Sequence, residues 1–267
     1  MKVVLFCGGA GMRLRGYSED VPKPMVTIGS RPVLWHVMKY YAHYGHKDFV
    51  ICLGYKGSVI KNYFLEYQES VSNDFVFSQG GRNLEFMQRD IDDWRITFVD
   101  TGLRSTIGDR LRLIEPYVQG EEMFLANYSD GLTDFPLPEL INDFVCRNDY
   151  VSFLSVQPRS SSFDTVQLGD DGEVKAIRSM QESNIWVNGG YFVLRKDVFR
   201  YLRPGEEFVY DPMQRMVAEG KVRSRRYDGF WQCMDTFKDK QILDELEASG
   251  SAPWCVWKAG CSIRLTA

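Results

Sequence analysis

The chain has 267 residues, a net charge of −4, 44% hydrophobic residues and 14% aromatics. Its length and apolar content support one large α/β domain and exclude disorder, while the negative balance argues against nucleic acid as main partner. The 6 cysteines show no Cys-x-x-Cys spacing, too few apolar residues precede Gly8 for a signal peptide, and no run reaches membrane-spanning length, so a cytoplasmic protein without a membrane partner is expected.

In chain order, short β-rich runs alternate with amphipathic stretches. Strands are expected near 2–6, 48–53, 95–99 and 122–127, with helices at 31–44, 57–67 and 106–115 between them. The alternation predicts an α/β, Rossmann-like, mainly parallel sheet flanked by helices, with functional groups gathered at the carboxyl ends of the strands. After Tyr150 closely spaced strands follow near 150–156, 164–168, 173–178 and 186–194, then helices near 210–219 and 237–248. This change of pattern predicts a smaller β-rich lobe. Residues 68–94, with Gly80-Gly81 and the acidic stretch from Asp90 to Asp93, are the least regular part and read as a binding loop or a subunit contact. With no linker or repeat, residues 1–257 read as one domain of two joined halves, 1–149 and 150–257, followed by a tail at 258–267.

The most informative stretch is Gly8-Gly9-Ala10-Gly11-Met12-Arg13-Leu14 after the first strand, followed by Pro22-Lys23-Pro24-Met25. Glycines let backbone N–H groups approach an anion without obstruction by Cβ, which points to a phosphate site. A dinucleotide fingerprint would need glycine at Leu14, and a P-loop would need Gly-Lys-Ser/Thr where the chain has Met12-Arg13-Leu14. An ordinary turn would explain the glycines but not Arg13 and Lys23.

These residues, with Leu34-Trp35-His36, Gly54-Tyr55-Lys56-Gly57, Val99-Asp100-Thr101-Gly102 and Gly229-Phe230-Trp231 before Met234-Asp235-Thr236, resemble the sugar-nucleotide pyrophosphorylases. Within that nucleotidyltransferase family the resemblance is greatest to the glucose-1-phosphate cytidylyltransferases, and it extends to about Trp257. It implies a nucleotide-binding first half, an acceptor-binding second half, and transfer of a nucleotidyl group from a nucleoside triphosphate, CTP above others, to a phosphorylated acceptor. It also implies assembly into a homo-oligomer. A relative that binds nucleotide without turnover, or one using dTTP or UTP, stays open, because no bare residue separates CTP from these.

Joining two anions demands cations. Arg13 would offer a fork of donors to the β and γ phosphates, and Lys23 a point charge near the α-phosphate. Mg²⁺ bound to triphosphate oxygens takes one or two carboxylates. Asp130, just past an apolar strand in Asn127-Tyr128-Ser129-Asp130-Gly131, and Asp235 match the metal pair of the resembling family. Asp130 would be catalytic with Arg13 and Lys23. For phosphate, base and ribose the resemblance implies the backbone of Phe6, Cys7, Gly8, Gly9, Ala10 and Gly11, together with Ser105, Arg110 and Ser129; Arg110 reads equally as a surface arginine.

On the acceptor side the chain departs from the family. A Phe-Gly pair beside the hexose becomes Phe163-Asp164, and Glu-Lys-Pro, whose lysine grips the sugar phosphate, becomes Glu182-Ser183-Asn184; Asn188-Gly189-Gly190 is retained. Asp164, Glu182, Asn188 and Gly189 are therefore the acceptor candidates, and the acceptor is expected to differ from glucose 1-phosphate. Arg159, Lys175 or Arg178 would be replacements for the lost lysine.

Overall fold

Four consecutive apolar residues after Lys2 suit a strand covered on both faces, and β1 (Lys2–Phe6) lies inside a seven-stranded sheet. The computed structural model describes residues 1–9, 21–158, 164–180 and 182–258. After β1 come β2 (Thr27–Ile28), β3 (Arg31–Pro32), α1 (Val33–His43), β4 (Asp48–Leu53), α2 (Gly57–Leu65), β5 (Phe75–Ser78), β6 (Asn83–Phe86), β7 (Arg95–Asp100) and α3 (Ile107–Val118). Then follow β8 (Met123–Asn127), β9 (Gly131–Thr133), α4 (Leu137–Val145), β10 (Val151–Val156), β11 (Asp164–Leu168), β12 (Val174–Ser179) and β13 (Val187–Arg195). The described elements end with α5 (Asp211–Ala218), β14 (Val222–Tyr227), β15 (Trp231–Cys233) and α6 (Phe237–Ala248).

The sheet order is β14-β10-β13-β8-β1-β4-β7. Neighbours run parallel except where β13 meets β10 and β8, so β13 alone is reversed. From β1 the chain builds outward through β4 and β7, then α3 carries it back to β8 on the other side of β1. Strand order thus reverses between β1 and β8, and a crevice opens beyond their carboxyl ends.

One face of the sheet packs against α1, α4 and α6 through Val33, Val37, Leu140, Phe144 and Leu243. The other packs against α3 and α5 through Leu111, Ile114, Met213 and Met216. In the second half β10, β13 and β14 extend the central sheet, β15 pairs with β9, and the β11–β12 hairpin forms a small sheet of its own. Helix α1 starts at Val33 rather than 31, because Arg31 and Pro32 pair with β2 and Pro32, unfit for a helix interior, takes the cap. Helix α3 continues past 115 to Val118, with Pro116 in its last turn. The irregular stretch 68–94 contains the β5–β6 hairpin. No helix among the described residues is long and apolar enough to cross a membrane.

Candidate active site

Beyond the carboxyl ends of β1, β4 and β7 three backbones meet closely. A Cβ on Gly54 would lie 2.6 Å from the Gly8 carbonyl oxygen and 2.9 Å from that of Gly102, so only glycine fits. Arg110, on the first turn of α3, ties the three strand ends together. Its guanidinium donates to Gly8 O at 3.2 Å, Leu53 O at 3.1 Å and Thr101 Oγ1 at 2.5 Å. At 3% exposure it is not the surface arginine that a position early in a helix allows. A Cβ on Gly8 would fall 1.9 Å from this guanidinium, whereas one on Gly9 would meet none of the described residues within 4 Å. The two glycines therefore differ: Gly8 makes room for Arg110, and Gly9 is exposed. Ser105 donates its hydroxyl to Thr101 O in the turn before α3.

Across the crevice, β9 and β15 form a short antiparallel ribbon in which Gly131 stands opposite Cys233. Asp130, just before β9, and Asp235, just after β15, therefore flank the same end of the ribbon, and the Met234 N–H donates to Asp130 O at 2.8 Å. Both carboxylates hold the Lys23 ammonium, Asp130 Oδ2 at 2.6 Å and Asp235 Oδ1 closer still. Lys23 opens a 3-10 turn, Lys23–Met25, anchored by buried Pro24 and Met25. Residues from positions 23, 130 and 235 thus meet on one nitrogen.

Among the described residues two carboxylates face one ammonium. Burial works against the charged Lys23, but the two carboxylates outweigh it and hold its pKa above the usual value. Burial pushes the Asp130 carboxyl above the ordinary range; Lys23 opposes this and Asp235 adds to it. Among the described residues no group of three or more His, Cys, Asp or Glu side chains forms a metal site. Two converging carboxylates are hard oxygen donors of the kind that fit Mg²⁺, which completes its shell with water and phosphate.

Asp130 is aimed by the residues before it. Ser129 is fully buried and has φ 68, a left-handed conformation that a non-glycine residue adopts only when held. The hold comes from Asn127, whose Oδ1 accepts the Ser129 N–H at 2.6 Å while its Nδ2 donates to Tyr41 OH at 3.3 Å. Cys7 Sγ donates to Ser129 Oγ at 3.3 Å, linking the ends of β1 and β8. Burial pushes the Cys7 thiol up to about 12, so it remains a neutral donor. Phe6 lies beside Tyr128, with ring centroids 6.2 Å apart. At the other carboxylate, Asp239 Oδ2 caps α6 by accepting the N–H groups of Thr236 at 2.8 Å and Asp235 at 3.2 Å.

Because β13 is reversed, its start lies at the carboxyl edge of its neighbours, and this brings Asn188 and Gly189 to the crevice. Asn188 Nδ2 donates to Tyr128 OH at 3.2 Å, and Gly189 O accepts from Trp231 Nε1 at 2.9 Å. Asp164 and Glu182 meet elsewhere, at the open end of the β11–β12 hairpin. Asp164 pairs with Ser179, whose N–H donates to Glu182 Oε2 at 3.2 Å. Ser183 spends its hydroxyl on Met180 O at 2.6 Å. Ala10, Gly11 and Arg13, with Arg159 and Phe163, lie outside the described residues.

The nucleotidyl transferase family model matches residues 2–239. The chain belongs to the nucleotidyl transferase family. This nucleotidyltransferase is 36% identical over 265 residues to the glucose-1-phosphate cytidylyltransferase of Salmonella typhi, covering 97% of this chain and 100% of that protein. It superposes on a UDP-glucose pyrophosphorylase complexed with UDP-glucose with a TM-score of 0.68 at 15% identity, covering 93% of this chain and 98% of that one. The inositol-1-phosphate CTP transferase from T. maritima gives a TM-score of 0.61 at 17% identity over 92% of this chain and 96% of that one. Both superpositions establish the shared fold. Tyr41, Asn127, Thr101 and Asp239 also bond to the backbone or side chains that frame the site, a part sequence reasoning missed; the Thr-x-x-Asp spacing of a capping box was the one available signal, for Asp239.

Proposed function

We propose that this nucleotidyltransferase moves a cytidylyl group from CTP to a phosphorylated sugar or sugar-like acceptor, giving a CDP-linked product and pyrophosphate. The observation that carries this reading is the convergence of Asp130 and Asp235 on Lys23 beside the Gly8–Gly9 turn. CTP is favoured by the 36% identical Salmonella typhi relative, a cytidylyltransferase by name.

In this reading Asp130 and Asp235 hold Mg²⁺, which when bound neutralises charge on the triphosphate. Lys23, no longer occupied by both carboxylates, faces the transferred phosphate and stabilises the charge that develops there. Arg13 serves the leaving pyrophosphate, and the open side of Gly9 admits phosphate oxygens to its backbone. Arg110 acts through Gly8, Leu53 and Thr101 by fixing the loop. Asn188 and Gly189 face the acceptor. Glucose 1-phosphate is a weak acceptor in this proposal, since Asp164 and Glu182 add negative charge and Ser183 adds none that is positive. Self-association is supported by the β5–β6 hairpin, which exposes Phe77, Leu84 and Met87 and is marginal as an isolated pair of strands. A cytoplasmic location accompanies such substrates.

A pyrophosphate-release screen tests the proposal, crossing CTP, UTP, dTTP and GTP with phosphorylated sugars and polyols at saturating Mg²⁺. CTP with a sugar phosphate should give the highest kcat/KM. Release with no pair, or a clear preference for another triphosphate, would overturn it.

A further inference from the structure

We infer that Arg226 binds an anionic phosphate group of the acceptor and sets selectivity for it; the inference rests on the nucleotidyl-transfer reading above. The argument begins with register. Ser155 on β10 stands opposite Asn188 on β13 and, on its other side, opposite Arg226 on β14. Residues opposite one another in a sheet project from the same face. Asn188, Ser155 and Arg226 therefore form a polar row, each one residue in from the strand end at the crevice. Adjacent strands are about 4.8 Å apart, so the backbones of Asn188 and Arg226 are separated by about 10 Å. The row continues through the Asn188–Tyr128 hydrogen bond toward Asp130, two residues further along the chain.

The charge at the end of this row is uncommitted. Arg223 pairs with Asp149 at 2.9 Å, and Arg225 with Glu139 at 2.6 Å and Asp143 at 2.8 Å. Arg226, on the same edge strand, makes no ion pair among the described residues. Its guanidinium instead lies 5.4 Å from the Trp186 ring centroid. Stacking on an indole orients the planar group and leaves its edge donors free, the geometry for bidentate capture of a phosphate. In that reading Lys23 serves the transferred phosphate of the triphosphate, so an acceptor dianion entering near Asn188 requires a cation of its own. Arg226 is that cation.

The phosphate is either the reacting one or a second at the far end of the acceptor. Glucose 1-phosphate and glucose 1,6-bisphosphate, with CTP saturating, separate these cases. Losing a charge-assisted contact in Arg226→Ala should raise acceptor KM about tenfold or more with CTP KM unchanged, and Arg226→Lys should recover part of it. A rise for both acceptors assigns the reacting phosphate; a rise for the bisphosphate alone assigns the distal one. Trp186→Leu, which removes the platform, should move KM in the same direction. Calorimetric titration of both acceptors into wild type and Arg226→Ala reads the contact without turnover, so it stands apart from any failure of the transfer reaction. Equal acceptor KM and Kd in wild type and Arg226→Ala, or wild-type protein that binds neither acceptor, overturns the inference.

Discussion

Gly54→Ala places one methyl group where three backbone atoms already sit, Gly8 O at 2.6 Å, Gly102 O at 2.9 Å and Gly8 Cα at 2.9 Å. None belongs to a side chain that can swing aside, so the loops after β1 and β7 must separate. Overpacking costs about 1–3 kcal/mol where side chains relax, and the upper end, about 3 kcal/mol, is expected here. For a chain of this size that lowers Tm by roughly 6–12 °C. The displaced Gly8 loop lies beside the catalytic cluster, where a shift of about 1 Å costs on the order of 100-fold in rate. Differential scanning calorimetry and pyrophosphate release measure the two effects. Gly9→Ala is the comparison: Gly9 is exposed and its Cβ meets none of the described residues within 4 Å, so Tm should hold while nucleotide KM rises. A Gly54→Ala protein with parental Tm and rate would refute the view that this loop junction requires glycine.

Asp130→Asn and Asp235→Asn should each reduce pyrophosphate release more than about 100-fold, since even outer partners of a metal site cost about 10–100-fold. Burial already disfavours ionised Asp130, so at neutral pH Asp130→Asn should melt no lower than the parent; a marked drop in its Tm would contradict the raised pKa. CTP with Mg²⁺ should raise Tm more than equal concentrations of ATP, GTP, UTP or dTTP, in line with about 2.7 kcal/mol at 100 times Kd; a larger shift with dTTP or UTP would reverse the base preference. His36 accepts from Trp254 Nε1 at 3.3 Å through Nδ1, leaving Nε2–H to donate to Ile28 O at 3.2 Å, and burial lowers its pKa to about 4. That lowering contributes about 3 kcal/mol of stability, full above the ordinary histidine pKa of about 6.5 and lost as pH falls from there toward 4. In urea unfolding at pH 7 and 4.5, His36→Gln should lose less stability on acidification than the parent; equal losses would show that His36 does not titrate this way.

Strands such as β1, β4 and β8 were readable because each is a run of apolar residues covered on both faces. Strand β14 was not, because Val222–Tyr227 carries three arginines and looks like surface; its place beside β10 comes from the sheet edge it completes. Helix α4 was missed behind Pro136 and Pro138, although its apolar positions 137, 140, 141 and 144 follow helical spacing. At the site, Lys23, Asp130 and Asp235 could be nominated from their neighbours in the chain. Their meeting on one nitrogen depends on the β9–β15 ribbon, whose strands are three residues each and too short to carry a pattern. The part played by Arg110 was hidden for a similar reason, since its partners Gly8, Leu53 and Thr101 are spread over 94 positions and meet only at the ends of three strands.

The reversal of β13 divides the labour of the crevice between unlike pieces of chain. Every parallel strand enters it by its last residue, and β4 and β7 hand on to loops that must also reach the next helix, so a change there disturbs the path of the whole unit. Strand β13 enters by its first residues, fed from the β11–β12 hairpin, which among the described residues is bonded to no other sheet. Insertions, deletions or exchanged side chains before Val187 can therefore accumulate without moving β1, β8 or the turn that aims Asp130. A lineage built on this frame is free to try new acceptors at little risk to its nucleotide chemistry.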